Sequence, residues 1–357
     1  MDIFSLMKAN GQEQVAFYSD LSVHLRAVLA IHSTALGPAI GGIRILPYAT
    51  IEEALFDLMR LSGAMSYKTA AAGLNFGGGE VVIIDQGMER NEALFRSIGR
   101  FIEGLKGRII VGGDIGVTED YMEYMRMETD YVTGLPAYFG GSGDHDSMCA
   151  YGTFLGLLAS ARFSWGSDSL DGKKVVIQGY GRIGRRLASY VTERGAEVCV
   201  SEISREKADE ARQAGYSLVP PDKVYDQECD IFSPCAVGAV INADTARRFR
   251  CRLIAGSANN QLLQEEGDLL LKKQGIRWAP DFIINAGGII DVVEEYTGYK
   301  QEKVKRKVEN IYNRTLRIYE KAELEDSSIQ TAAVRYARER IDSIKKIRGT
   351  FPGKGKI

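Results

Sequence analysis

The sequence predicts an α/β protein of two domains, the second built on a parallel, doubly wound sheet. Three observations carry this. The chain has 357 residues, enough for two domains. Short runs of β-formers alternate with stretches of helical periodicity along most of its length. Residues 174–202 read as strand, glycine-rich turn, helix, strand, acid, the unit from which such sheets are assembled.

In the first region, 14–19 and 25–32 read as strands and 36–44, LGPAIGGIR, as a Gly- and Pro-rich loop. Thr50 opens a helix to about residue 67, with Glu53 completing a capping box and Ala54, Leu55, Leu58 and Leu61 at helical spacing. A strand follows at 80–84. Asn91 caps a helix through residue 103, 108–111 is a strand ending at Gly112-Gly113-Asp114, and Thr118 starts a short helix. Residues 139–147 read as a loop. A helix at 147–161 then crosses into the second region, where 174–178, 197–201, 231–232 and 253–255 are strands. Helices are expected from residue 204, at 262–273, from residue 285, at 303–321 and at 329–346, with a loose tail at 352–357.

Composition narrows the function. Hydrophobic residues make up 45% and charged residues 26%, and the net charge is -2, so no basic excess points to nucleic acid or an anionic membrane. No signal-peptide pattern opens the chain, and no apolar run approaches the roughly 18 residues of a membrane span. Cys149, Cys199, Cys229, Cys235 and Cys251 are scattered, without CxxC spacing, and His24, His32 and His145 form no ligand pattern with them. Reduced thiols in a cytoplasmic protein without a metal site are expected.

GxGxxG is a weak signal alone, but here strand, turn, helix and acid agree. Gly179 permits the tight turn, Gly181 lets backbone approach a pyrophosphate, and Gly184 allows close helix packing. Arg182 and Ile183 open the helix whose N-terminal N–H groups face the phosphates. Glu202, 18 positions beyond Gly184, suits the ribose hydroxyls and repels a 2′-phosphate. NAD is therefore the expected cofactor of a Rossmann-type domain, although Arg205 stands nearby.

The other candidate site is the stretch 65–80, MSYKTAAAGLNFGGGE. Lys68 ends a helix, and Gly77-Gly78-Gly79 leaves bare backbone, together suggesting a carboxylate-binding wall. Asp114, at a strand end, is a candidate general base.

GPAIGGIR at 37–44, MSYKTAAAGLNFGGG at 65–79, GDIGV at 113–117, the GYGRIG turn, AGSANNQL at 255–262 and INAGGIID at 284–291 occur in order. This series resembles the leucine/phenylalanine/valine branch of the glutamate dehydrogenase superfamily, over nearly the whole chain. The resemblance implies reversible oxidative deamination: an L-amino acid, NAD and water give a 2-oxo acid, ammonia and NADH. It implies a substrate-binding and oligomerisation domain at 1–138 plus 326–357, a NAD-binding domain at 139–325, and a homo-oligomer. Lys68 would bind the substrate carboxylate beside Gly41 and Gly42, and Asp114 would be the acid/base. Asn259 and Asn285 would hold the nicotinamide side and the substrate. Ile40, Met65, Ile289 and Val292 would line the side-chain pocket, and Cys149, Cys235 and Ala236 would lie by the cofactor.

The series breaks at one position. The family has a second lysine after the glycine run, where it polarises the carbonyl or activates water; this chain has Glu80. Two carboxylates close together do not both ionise cheaply, so Glu80 beside Asp114 predicts one raised pKa and weakened stabilisation of an oxyanion. Cys149 and Val117 stand where the family has threonines, Gly113 for a glutamate and Asp291 for an asparagine. Asp291 is expected to face water at a helix start. Three readings follow: a dehydrogenase of an apolar or modified amino acid with altered chemistry, a silent relative that binds NAD or an amino acid, and a dehydrogenase of a different amine with protonated Glu80 as general acid.

Overall fold

The computed structural model describes residues 2–264 and 266–347. The tail at 352–357 lies outside them. The chain opens with a helix not expected from its sequence, α1 (Ile3–Asn10), capped by the Asp2 side chain. Strands β1 (Gln14–Asp20), β2 (Leu25–Ser33) and β3 (Ala39–Leu46) follow, then α2 (Ile51–Ala71), β4 (Gly77–Ile84), α3 (Glu92–Gly104), β5 (Ile109–Gly113) and α4 (Glu119–Arg126). The sheet order is β1-β2-β4-β3-β5, with β1, β2 and β4 antiparallel and β4, β3 and β5 parallel. One face packs on α3 and α4 through Leu94, Phe95, Ile98 and Met122, and the other packs on α2 through Ala54, Leu55 and Leu58.

Two local expectations change. Residues 39–44 are strand, not loop, because Ile40 and Ile43 pair with both β4 and β5 despite the glycines. The run Gly77-Gly78-Gly79 belongs to β4 and is fully buried. A side chain on Gly78 would run into the Ser66 backbone, and one on Gly77 into the Ser33 carbonyl. Gly78 lets α2 lie directly on the sheet, Gly77 and Gly79 fit against neighbouring strands, and the buried run is not a bare wall open to a substrate.

Helix α5 (His145–Trp165) crosses to the second sheet, whose elements are β6 (Lys174–Gln178), α6 (Arg182–Thr192), β7 (Glu197–Ser201), α7 (Arg205–Gln213), β8 (Ser217–Leu218), β9 (Ile231–Pro234), α8 (Ala243–Ala246), β10 (Leu253–Ile254), α9 (Gly267–Lys273) and β11 (Arg277–Trp278). Helix α9 starts five residues later than expected. All strands are parallel, in the order β11-β10-β9-β6-β7-β8. The order reverses between β6 and β9, the switch point at which doubly wound sheets bind ligands.

Helices α10 (Asp281–Ile284), α11 (Gly287–Thr297), α12 (Gln301–Leu324) and α13 (Ile329–Lys345) complete the fold. The last returns to the first sheet's layer. Arg340 donates to the Leu74 carbonyl at 2.6 Å and to Asn75 Oδ1 at 2.8 Å, and Arg338 donates to the Tyr67 hydroxyl. Asp291 does not face water: it is 0% exposed on α11, where burial raises its carboxyl. One turn on, the Glu295 carboxylate accepts the N–H groups of Gly134 and Ser142, pinning both ends of the crossing segment. Among the described residues, no helix is long and apolar enough to cross a membrane, and no group of His, Cys, Asp or Glu could hold a metal ion.

Candidate active site

A cavity of about 750 Å³ lies between the two sheets. It is lined by Ile40, Gly41, Gly42, Met65, Lys68, Glu80 and Asp114 from one side, and by Arg182, Asn259, Ile289 and Val292 from the other. The fold explains the convergence. Pairing of β3 with β4 at constant register puts Gly42 beside Glu80, and β5 ends next to β3, so Asp114 arrives at the same spot. A Cβ on Gly42 would lie 2.8 Å from Asp114 Cβ and 2.9 Å from Glu80 Oε1. Glycine at 42 is what allows both acids to meet there.

The two acids are held differently. Glu80 is 3% exposed, and its Oε2 accepts the Gly42 N–H at 2.9 Å. Burial first, and Asp114 second, push its carboxyl well above the ordinary range; the Gly42 N–H and Arg44 oppose this without overcoming it. The neutral, protonated form of Glu80 is thereby favoured over that of an ordinary carboxyl. Asp114 is part-exposed, and its Oδ2 accepts from Arg44 Nε at 2.7 Å. Arg44 also reaches Asp57 at 3.0 Å, and the Tyr48 hydroxyl donates to the same Asp57 oxygen at 2.6 Å. Burial alone would depress the Arg44 guanidinium, but the two aspartates hold it above its ordinary value.

Lys68, in the last turn of α2, has no carboxylate within ion-pair distance among the described residues. Burial lowers its pKa, while Cys149, Asp281 and Asp114 pull it back. Its side chain faces the cavity, open to an anionic ligand. Asn259 lines the cavity, and its Oδ1 accepts from Asn285 Nδ2 at 2.8 Å; Asn285 is buried behind it. Cys149 Sγ sits 3.5 Å from the Asn285 carbonyl, and burial pushes the thiol up to about 11.

The glycine turn lies at the switch point. Gly179 has φ +99°, and a side chain there would meet Ala236, next to Cys235, in the loop after β9. Gly184 packs on the Gly179 carbonyl, and Gly181 faces open space. Gly181 caps α6 with no side-chain bond, so the first N–H groups of the helix remain free for an anion. Glu202 accepts from the N–H groups of Tyr180 and Ser204, at 2.8 and 2.9 Å. Burial would raise its carboxyl, but these bonds outweigh it and hold it below the ordinary value. The residues present fit NAD: an open glycine, an uncapped helix start and a fixed anion at the next strand's end. Arg182 is turned to Asp146, at 2.7 Å.

Three residues escaped sequence reading. Arg44 and Asp57 were hidden because 39–44 reads as loop; recognised as a strand, Ile40, Gly42 and Arg44 would fall on one face. Glu295 carried no local signal, since its partners are 153 and 161 residues away.

Comparison with known proteins matches both halves of the chain. Residues 14–131 match the Glu/Leu/Phe/Val dehydrogenase dimerisation domain, and residues 200–349 the Glutamate/Leucine/Phenylalanine/Valine dehydrogenase family. Residues 146–250 also match the NAD binding domain of D-isomer specific 2-hydroxyacid dehydrogenases. The leucine dehydrogenase of Thermoactinomyces intermedius is 46% identical over 353 residues, 98% of this chain and 96% of that protein. The L-tryptophan dehydrogenase of Nostoc punctiforme is 40% identical over 97% of this chain and 98% of its own length. A crystal structure of L-tryptophan dehydrogenase from that organism superposes with a TM-score of 0.85 at 39% identity, covering 96% of this chain and 100% of that one. A hetero-hexameric glutamate dehydrogenase from Thermus thermophilus gives a TM-score of 0.79 at 25% identity, over 96% and 91%.

Proposed function

The chain belongs to the Glu/Leu/Phe/Val dehydrogenase family, and we propose that it is an NAD-dependent dehydrogenase of an apolar L-amino acid in which neutral Glu80 stands in the electrophile's place. The observation that carries this is the convergence of Lys68, Glu80 and Asp114 on one cavity with an apolar end formed by Ile40, Leu61, Met65, Ile289 and Val292.

In this reading Lys68 pairs with the substrate carboxylate against the Gly41–Gly42 backbone, and the apolar side chain fills the Ile40 end. Asp114 takes a proton from the substrate ammonium, because the amine must be neutral before Cα loses its hydride. NAD, when bound, supplies the hydride acceptor. Once that proton has passed to solvent, Asp114 deprotonates the water that attacks the iminium. Glu80, buried and protonated, donates a hydrogen bond to the oxygen being added, gives its proton to the amine, and recovers one from the carbinol O–H as the carbonyl forms and ammonia leaves. Asn259, braced by Asn285, holds the cofactor side, and Glu202 favours NAD over NADP.

We also propose the division 1–138 plus 326–357 against 139–325, supported by the return of α13 to α2. A homo-oligomer is supported by the match to a dimerisation domain. Five free cysteines support a reducing, cytoplasmic setting.

Among the described residues on the Glu80 side of the cavity the cations are Arg44, bound to two aspartates, and Lys68, assigned here to the substrate carboxylate; neither is left to polarise a carbonyl, and this favours one rival: a silent relative that binds NAD or an amino acid. NADH formation from a panel of L-amino acids, run beside Glu80→Lys, separates the two. Turnover by the parent, reduced by the lysine change, supports the proposal. A silent parent, with leucine or valine activity gained by Glu80→Lys, supports the rival.

A further inference from the structure

Helix α11 gives the cavity between the sheets two of its apolar residues, Ile289 and Val292. They stand three positions apart, so they are neighbours on the helix surface, and Glu295 stands three beyond Val292. The acid is thus the next residue along the stripe that lines the cavity. Both of its oxygens are engaged. Oε2 accepts the Gly134 N–H at 2.7 Å, and Oε1 accepts the Ser142 N–H at 2.6 Å. Gly134 itself lines the cavity.

The residue before Gly134 is held from the other side. The Thr133 N–H donates to the Val111 carbonyl at 2.9 Å, and the Val111 N–H donates to the Tyr131 carbonyl at 3.0 Å. Val132 and Leu135 pack in the core of the first sheet. Val111 belongs to β5, which ends at Gly113, and Asp114 follows directly. Gly134 lies close to this strand end: a Cβ on it would be 3.9 Å from Gly113 N. Two consecutive residues, Thr133 and Gly134, are therefore gripped by opposite walls of the cavity. A short chain of bonds leads from α11 through Glu295, Gly134, Thr133 and Val111 to the strand that ends at Asp114.

The neighbouring attachments of α11 set no such relation. Glu294 is 1% exposed and pairs with Lys303 at 2.6 Å and with Lys307, which fixes α11 to α12. Tyr296 meets Phe76 edge to face with centroids 6.3 Å apart, an apolar contact that prescribes no hydrogen-bonded register. These two contacts seat the helix. The two bonds of Glu295 give it a direction.

We propose that Glu295 is a positioning residue that sets side-chain selectivity, by holding the Ile289 and Val292 stripe of α11 at a fixed offset from Asp114. In the substrate seating proposed above, on which this role rests, the substrate side chain lies against Ile289 and Val292 while its amine lies at Asp114. The offset between them decides which side-chain lengths bring Cα to the right place. Without Glu295, α11 keeps its seat on α12, but its cavity stripe loses its reference to β5. Substrates of different length then lose rate unequally, because each is misplaced by a different amount.

The test compares the full-length parent with Glu295→Gln and Glu295→Ala in NADH formation from L-valine, L-leucine and L-phenylalanine, with NADH affinity as the control for folding. Glu295→Ala should change the ratio of kcat/KM between the parent's best and second-best substrates by about tenfold, the worth of one misplaced pocket contact. Glu295→Gln keeps one acceptor oxygen for the two N–H groups and should fall between. Its matching shape keeps the test alive if Glu295→Ala folds poorly. Equal losses on all three substrates, or no loss, with NADH affinity unchanged, make Glu295 a brace alone and overturn the proposal. A parent that forms no NADH refutes the dehydrogenase reading instead. The ratio is then read from calorimetric binding of the same three amino acids to the NADH complex. There a tenfold change still supports the proposal, and an unchanged ratio or no binding overturns it.

Discussion

Arg44 Nε donates to Asp114 Oδ2 at 2.7 Å while the same guanidinium binds Asp57 at 3.0 Å. One carboxylate oxygen of the proposed acid/base is therefore fixed, and the other is left for substrate. Arg44→Ala releases Asp114 from its orientation. Since a small misplacement of a catalytic group costs about 10²-fold, kcat should fall by about that factor with a smaller change in the KM for the amino acid. Arg44→Lys, which keeps the charge but not the planar fork, should recover only part of it. Steady-state kinetics of the three proteins checks this; an equal loss in KM with kcat intact would place Arg44 in substrate binding instead.

Gly42→Ala is expected to separate the two acids. The added Cβ would sit under 3 Å from atoms of both Asp114 and Glu80. Relief of such overlap in a packed site costs about 1–3 kcal/mol of stability, measurable by denaturant unfolding. The activity loss, about 10²-fold or more, should exceed that of an alanine placed at a surface glycine such as Gly104.

The pH dependence follows from Glu80. Its carboxyl titrates above its ordinary 4.5 in the folded protein. Between the two values the unfolded chain has lost a proton that the native state keeps, so this group's contribution to stability falls as pH rises. Glu80→Gln removes the titration. Its stability relative to the parent should therefore improve with pH above 4.5, by up to about 1.4 kcal/mol per pH unit until the folded-state pKa is passed. Turnover should show the same group: the parent's kcat/KM declines on the alkaline side as Glu80 ionises, and in Glu80→Gln that limb disappears along with most of the rate. Chemical unfolding at several pH values and a kcat/KM profile test the two halves separately.

Glu202→Ser should weaken NAD more than NADP. The change removes an anion that two backbone N–H groups hold at the strand end. Loss of charge-assisted bonds of this kind is worth about tenfold or more in affinity, while relief of repulsion favours a 2′-phosphate. Fluorescence titration with NADH and NADPH gives the ratio; an unchanged ratio would take Glu202 out of cofactor selection.

Much of this architecture was readable in the chain because its signals are local. The sequence from β6 through the glycine turn to Glu202 identifies the second sheet, since turn geometry and strand pattern are properties of neighbours. Lys68 and Asp114 stand out as charged residues near element ends, but their roles and the oddity of Glu80 come from the ordered series of motifs that resembles the family. Arg44 was missed because glycines at 41 and 42 suggest a loop, whereas pairing with strands on both sides overrides that preference. The triple glycine misled in the opposite sense: bare backbone reads as room for a ligand, and here it is room for α2 at Gly78 and for neighbouring strands at Gly77 and Gly79. Asp291 looked solvated because nothing near it in sequence shows that α11 turns it inward.

That close seating of α2 on β4 has a mechanical consequence. With no side chains between Ser66 and Gly78, the helix and the strand cannot slide or tilt against each other without backbone collision. Lys68 rides on the helix and Glu80 on the strand, so the spacing between the amine and the carboxyl is built in before any ligand arrives. The first sheet's half of the cavity behaves as a rigid jaw, and any movement that grips or frees a substrate must come from the side that carries Asn259, Ile289 and Val292.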